Sequence, residues 1–559
     1  MAEAYDGLVH SIAGLSLTSD TAKLSGSTSS HPSPRQTFVN AARALTQAAE
    51  ATAAQAKRVP LTESPNPHGG EDVAQLISLR RKANTLTNIA ATFGDATDCY
   101  VVAHISALAG QETSTQKILS HFHVDLMRIA QEVLNSATDD SRVLPEILER
   151  CYKESLNYSG ALHYENYSIP LREASLGWPY DPDFESEKYY DHEERLGYDE
   201  YVKAFSAQYE RKLDNERKQE ENWIGFWVRA LSSFPNGPTL FYPPTSRFPE
   251  LRLADVPRYL FRTFDPASSG RNDDYVFASL GSISAKSWRS KVDFLSRGEE
   301  EAAGMLHGHL TKSCFGAGID GDNLVSWSSS LIFVIQYAIW RCYHRRCANS
   351  EVKICAVDTT KFPQGQFVRD MTLIRAYRQT SNLENEIRRF FHFRLDNPCY
   401  DNGEYLSQGE LHHRGRSCVF SLDQLTEAGL HGLYPEFAEN TAKNKWTNRV
   451  RDLRSGWSNE HTTTQLDIER ALGVARACFS IFIATDVALL LLSFKNRKLR
   501  PTTATGPSQP SDDTQERRRS LTDYGPKEVQ RYMKIAETRM PKSRDSFNTK
   551  LLEGVFECS

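Results

Sequence analysis

Apolar residues three and four positions apart organise the first part of the chain. From Thr37, the residues Phe38, Ala41, Ala42, Leu45 and Ala49 share one helical face, which Arg58-Val59-Pro60 ends. The spacing resumes with Val73, Leu76 and Ile77 and continues through Val101 to Leu108, then Phe122, Leu126, Ile129, Val133 and Leu134. This pattern predicts a helical bundle region over residues 37–155. Residues 156–239 read differently. Tyr158, Tyr164, Tyr167, Tyr180, Tyr189 and Tyr190 punctuate an irregular connector, whose expected role is docking onto a domain surface. A long amphipathic helix follows from Asp199 to Phe234, with Tyr201, Phe205, Tyr209, Leu213, Trp223, Phe226, Trp227 and Leu231 on one side. Pro235-Asn236-Gly237-Pro238 stops it.

Beyond residue 240 the period shortens to that of strands. Pro257 to Phe264 reads as a strand with one arginine, Arg262, in an apolar run. Asp322 to Trp340 starts as a short strand and continues as an apolar helix. The hydroxyl run Ser326, Ser328, Ser329, Ser330 falls where one becomes the other, and Ser328 is the expected cap. Val352–Asp358, Asn402–Leu411 and Ser417–Leu422 supply further strands between helical stretches, so residues 240–500 form an α+β domain. Leu472 to Phe494 is long enough to cross a bilayer, but Arg476 and Asp486 interrupt it at a cost of about 2.5–3.5 kcal/mol each near the membrane centre. A buried domain helix is the expectation there. Residues 1–36 and 501–559 have the composition of disordered or flexible ends, the latter with a short helix from Lys527 to Thr538.

Composition narrows the classes of partner. Of 559 residues, 66 are basic and 71 acidic, a net charge of -5, so nothing global points to nucleic acid or an anionic membrane. Ten cysteines without regular spacing give no disulfide framework, and no basic region followed by an apolar core opens the chain. The expected setting is intracellular, cytoplasmic or nuclear. Cys342 and Cys347 have no second pair nearby, and no metal site is expected.

Three blocks carry a resemblance: Leu260-Phe261-Arg262, Ser326-Trp327-Ser328-Ser329-Ser330, and Gly403-Glu404-Tyr405-Leu406-Ser407-Gln408-Gly409. Their wording resembles an uncharacterised fungal domain family over about residues 240–500. The order arginine, serine-rich strand end, glutamate resembles the ADP-ribosyltransferase-like fold, a split β-sheet domain. That resemblance implies NAD as substrate. Arg262 would bind its phosphates or a ribose, Ser326 or Ser328 would hold the nicotinamide ribose, and Glu404 would offset the positive charge that grows at the anomeric carbon. Trp327 and Tyr405, inside the matching blocks, complete the expected NAD-binding set with Arg262.

The pattern departs from the family in one place: Asn402 stands where many arginine-modifying members carry Gln or Glu, which leaves the modified target open. Glu410, preceded by Gln408, has that spacing and is the second choice of acid. Two functional expectations follow. One is a mono-ADP-ribosyltransferase acting on an intracellular protein. The other is an inactive interaction module of the same fold, whose N-terminal helices recruit a partner. A purely structural reading of Arg262 and Glu404 is an ion pair tying two strands.

Overall fold

The computed structural model of the chain describes residues 32–59, 69–137, 142–175, 198–234, 237–242, 256–284, 291–313, 322–501, 525–539 and 549–558, in two units, residues 1–231 and 232–559. Most of the stretch expected to be disordered, Tyr180, Tyr189, Tyr190 of the connector, and the basic run Arg517-Arg518-Arg519 lie outside these residues.

The first unit is helical. Helix α1 (Pro34–Ala56) begins at Ser33, whose hydroxyl accepts from the Gln36 N–H at 3.3 Å, and has proline at its first position. It packs along α2 (Gly69–Ala107), where the Phe38 ring stacks 5.3 Å from Tyr100. Helices α3 (Thr113–His121), α4 (His123–Ser136) and α5 (Val143–Leu156) follow, with α6 (Glu165–Ser175) and the long α7 (Tyr198–Ser233). Of the positions anticipated from spacing, Leu126, Ile129 and Val133 of α4 and Trp223, Phe226 and Trp227 of α7 are buried, whereas α1 buries none and Val73, Leu76, Ile77 and Leu213 are exposed; Ile147, Leu148 and Cys151 of α5 add to the core. The start of the connector docks here. Trp223 donates its indole N–H to the Leu162 carbonyl at 2.9 Å, and Tyr164 donates to Gln219 Oε1 at 2.6 Å.

The second unit is built on strands β1 (Tyr259–Phe264), β2 (Arg271–Asn272), β3 (Val276–Ala278), β4 (Leu324–Ser328), β5 (Lys353–Asp358), β6 (Val368–Arg369), β7 (Glu404–Gln408), β8 (Glu410–His412) and β9 (Ser417–Ser421). Six of them form one antiparallel sheet in the order β6-β7-β4-β1-β5-β9, and β2-β3-β8 form a second. The chain passes from β7 in the first sheet to β8 in the second through Gly409, whose φ of 70° a side chain would strain.

Because alternate strand residues point to opposite faces, the large sheet has two kinds of covering. On one face, Leu260, Phe264, Val325, Trp327, Cys355, Val357 and Tyr405 are sealed by Phe277 and Leu411 of the small sheet. The other face carries helices. Over β6, β7 and β4 lie α8 (Glu299–Thr311), α10 (Asp370–Tyr377) and α11 (Asn385–Asp396), meeting Leu324, Val368 and Leu406. Over β1, β5 and β9 lie α9 (Leu331–Arg345) and, further out, α12 (Thr447–Gly456), α13 (Gln465–Cys478) and α14 (Ala484–Leu492), meeting Phe261, Ile354, Ala356 and Phe420. Between the two helical groups runs the strip of β4 and β7 that carries Ser326, Ser328 and Glu404, the seam of the two clusters.

The apolar stretch from Leu472 to Phe494 is two helices, α13 and α14, broken at Phe479–Ile483 and packed on each other. Asp486 is buried in the second of them and accepts from Arg258 Nη1 at 2.7 Å, Tyr259 Oη at 2.6 Å and Tyr532 Oη at 2.9 Å. A single carboxylate with three donors can be placed inside a protein core. Among the described residues, no helix is long and apolar enough to cross a membrane.

The short helix expected from Lys527 to Thr538 is present, and the described C-terminal residues are packed where a flexible tail was expected. Helices α15 (Lys527–Arg539) and α16 (Thr549–Val555) pack into the core that covers β1, β5 and β9 through Tyr532, Ile535, Leu552, Val555 and Phe556. Val529, Tyr532 and Ile535 lie at three-residue steps, an apolar face too short for composition to reveal.

Candidate functional site

Ser326 lies in the middle of β4 on the helix face, half-buried, in the seam. Its hydroxyl is 2.8 Å from His309 Nε2, and His309 stands in the last turn of α8. His309 Nδ1 is 2.8 and 2.9 Å from the two oxygens of Asp322, just before β4. Lys312 donates to the same carboxylate at 2.7 Å, and so does the Leu324 N–H at 3.1 Å. The imidazole is sealed, at 0% side-chain exposure, and Asp322 nearly so at 6%. Since Nδ1 faces a carboxylate, it carries the proton, and Nε2 presents its lone pair to the Ser326 hydroxyl.

Burial raises the Asp322 pKa, but its contacts with His309 and the charge and hydrogen bond of Lys312 outweigh it and hold the carboxyl well below the usual range. The sign for stability follows. A carboxyl depressed in the folded state contributes stability that is fully present above about pH 4 and is lost as the pH falls towards its folded value. Asp322→Asn is therefore expected to flatten the acid side of the stability profile, measured as denaturant midpoints from neutral pH downwards. An unchanged acid limb would refute the assignment.

Ser328, Ser329 and Ser330 are spent on the fold. The cap of α9 is Ser330, not Ser328: its hydroxyl accepts from the Phe333 N–H at 3.2 Å. The strand runs on to Ser328, so the helix starts later than the serine spacing suggested. Ser328 Oγ accepts from the Ser330 N–H at 3.0 Å and donates to the Asn402 carbonyl at 2.7 Å, while Ser329 Oγ donates to the Gly403 carbonyl at 3.3 Å. Ser330 also donates to Glu528 of α15 at 2.6 Å, and Glu528 is clasped by Arg454 of α12. Arg454 in turn donates to the Asp401 carbonyl and to Asn402 Oδ1, bracing the turn into β7. In that turn Gly403 has a φ of 63°, and a Cβ there would lie 2.1 Å from Ser329 Oγ. Ser330→Ala removes the cap and a partner of a buried carboxylate together, so a loss of about 1–3 kcal/mol is expected in chemical denaturation.

Glu404 opens β7 directly opposite Ser328, and Ser326 is opposite Leu406. Glu404 and Ser326 are therefore diagonal neighbours on one face, with Cβ atoms roughly 5–8 Å apart. The Glu404 side chain is 25% exposed and lies 3.8 Å from Arg394 Nη1 of α11. Arg394 also pairs with the fully buried Asp370, and Arg369 pairs with Asp401 at 2.5 Å. Burial pushes the Asp370 carboxyl up to about 7, reinforced by Glu404 and Asp401 and opposed by Arg394.

The remaining expected site residues lie on the other face. Phe261 is paired with Ser328, so its neighbour Arg262 points the opposite way from Ser326, Ser328 and Glu404. Arg262 reaches under the small sheet, donating to Asn272 Oδ1 at 2.9 Å and, past the strand edge, to the Ser326 carbonyl at 2.8 Å, with its guanidinium 5.4 Å from the Phe277 ring. Burial lowers its pKa to about 10. Trp327 donates to Ser407 Oγ at 2.9 Å and is sealed with Tyr405 between the sheets. Arg262 and Glu404 are thus not an ion pair; the arginine beside Glu404 is Arg394. Glu410, the second choice of acid, belongs to the small sheet and pairs with His412 at 3.0 Å.

His309, Asp322, Lys312 and Arg394 were not singled out from the sequence. His309 and Asp322 precede Ser326 by seventeen and four residues, and that short-range grouping was the available signal.

Residues 255–425 match a family described as a domain of unknown function (DUF7587). No curated protein and no solved structure matches the chain.

Proposed function

We propose that the seam is a site for ADP-ribosyl transfer from NAD to a protein acceptor, with Glu404 and Ser326 as the residues that meet the ribose. What carries this reading is the diagonal placement of a partly exposed carboxylate and an anchored, half-exposed hydroxyl on adjacent strands of one face. NAD supplies an anomeric carbon that becomes positive as nicotinamide leaves. Glu404 accepts a hydrogen bond from a ribose hydroxyl and offsets that charge, with Arg394 3.8 Å from its carboxylate. Ser326 orients the sugar, its own rotamer fixed by His309. Lys312, 24% exposed, and Arg394 are the cations available to phosphate oxygens, in place of Arg262.

The test is nicotinamide release from NAD by the full-length chain, with and without a cell extract as a source of acceptor, and transfer of label to protein. Release that depends on Glu404 supports the reading. A wild-type chain that melts cooperatively yet neither cleaves NAD nor labels protein would leave the same fold as an interaction module.

A further inference from the structure

We propose that Ser326 is also an acyl-transfer nucleophile, with His309 as its general base and Asp322 as the group that orients the base.

The geometry is that of a hydroxyl, an imidazole and a carboxylate in series: 2.8 Å from Oγ to Nε2, then 2.8 and 2.9 Å from Nδ1 to the carboxylate oxygens. The carboxylate is itself fixed by Lys312 and the Leu324 N–H, and it stays ionised, so it can hold the ring in one tautomer and stabilise the imidazolium that forms. Lys312 flanks Nδ1 at 3.0 Å but is closer to the carboxylate, at 2.7 Å.

The neighbouring serines sharpen the contrast. Ser328, Ser329 and Ser330 are buried and bonded to backbone or to Glu528, as structural hydroxyls are. Ser326 alone of the four is half-exposed, and among the described residues its hydroxyl is hydrogen-bonded to His309 only. A network whose base and acid are sealed while its serine is partly exposed is arranged for reaction with something outside.

The step balances without any redox partner. Ser326 Oγ attacks the carbonyl carbon of an activated carboxylic ester as its proton passes to His309 Nε2, and the carbonyl π electrons move to oxygen. Collapse expels the alcohol, which takes the proton from Nε2, leaving an ester on Ser326. Water, deprotonated by the same nitrogen, then releases the acid and restores the hydroxyl.

The experiment treats the full-length chain, without NAD, with a fluorophosphonate probe and follows p-nitrophenyl acetate hydrolysis in parallel. One probe per chain is expected by intact mass, mapped to Ser326 and absent from Ser326→Ala. His309→Gln is expected to slow labelling by about 10²-fold or more, the scale of losing a general base. No adduct at Ser326 in the wild-type chain overturns the proposal, however the variants fold. Equal labelling rates in wild type and His309→Gln overturn the role of the base, and Asp322→Asn provides a second reading if His309→Gln does not fold. Since no NAD is present, an adduct in a chain that does not cleave NAD sustains this activity and removes the transferase reading, and the converse outcome separates them the other way.

Discussion

Glu404→Gln is expected to slow nicotinamide release by about 10²–10³-fold, the scale of losing one preorganised electrostatic group, while the protein stays folded. The amide keeps the size and most of the hydrogen bonding of the carboxylate, so the change isolates its charge. The fold should tolerate it. Glu404 is partly exposed and its contact with Arg394 is 3.8 Å, while Arg394 retains Asp370. Turnover and thermal melts of both proteins provide the measurement. Equal turnover would remove Glu404 from the chemistry, and a large drop in melting temperature would show that the carboxylate serves the fold.

Asp265→Ala is expected to destabilise the second unit by about 3–5 kcal/mol, because it strands a buried guanidinium. Asp265 follows β1 and Arg341 stands on α9; Arg341 donates through Nε at 2.9 Å and Nη2 at 2.6 Å, with the two side chains 1% and 3% exposed. Burial raises the Asp265 carboxyl, and the Arg341 hydrogen bonds and charge more than reverse it. The double variant Asp265→Leu, Arg341→Met should recover most of the loss, since no charge is then left buried alone. Denaturant midpoints of the two proteins decide the matter; a double variant no better than the single would mean that packing, not charge, sets the cost.

The alternation of strands and helices after residue 240 was legible because the period changes from that of helices to that of strands, and the Ser326 to Trp340 stretch became strand and helix as its pattern implied. What spacing could not supply was the direction in which side chains point across neighbouring strands. Arg262 reads as a ligand-binding arginine until Phe261 is paired with Ser328, and that pairing turns it beneath the second sheet. The same pairing puts Trp327 and Tyr405 out of reach of the seam. His309 escaped notice for a related reason: two histidines, His307 and His309, in a helix rich in alanine, glycine and glutamate carry no periodic signal, and only the docking of that helix beside β4 brings His309 to Ser326. The short helix from Lys527 was legible in residues 501–559, but spacing did not show that Val529, Tyr532 and Ile535 pack it onto the core.

The packing of the C-terminal helices bears on how the matched segment can be handled in the laboratory. Residues 255–425 supply both sheets and α8 to α11, but the apolar surface of α9, β5 and β9 is closed by Leu430, Tyr434, Leu472, Leu489 and Leu491, and finally by Tyr532, Ile535 and Phe556. Expressed alone, that segment would present a broad greasy wall to water and should be recovered in inclusion bodies. A version trimmed at residue 500 would also lose Glu528, leaving Arg454 and the Ser330 end of α9 without their counter-charge beside the strand that carries Glu404. Biochemical work on this domain therefore calls for protein that reaches at least residue 556.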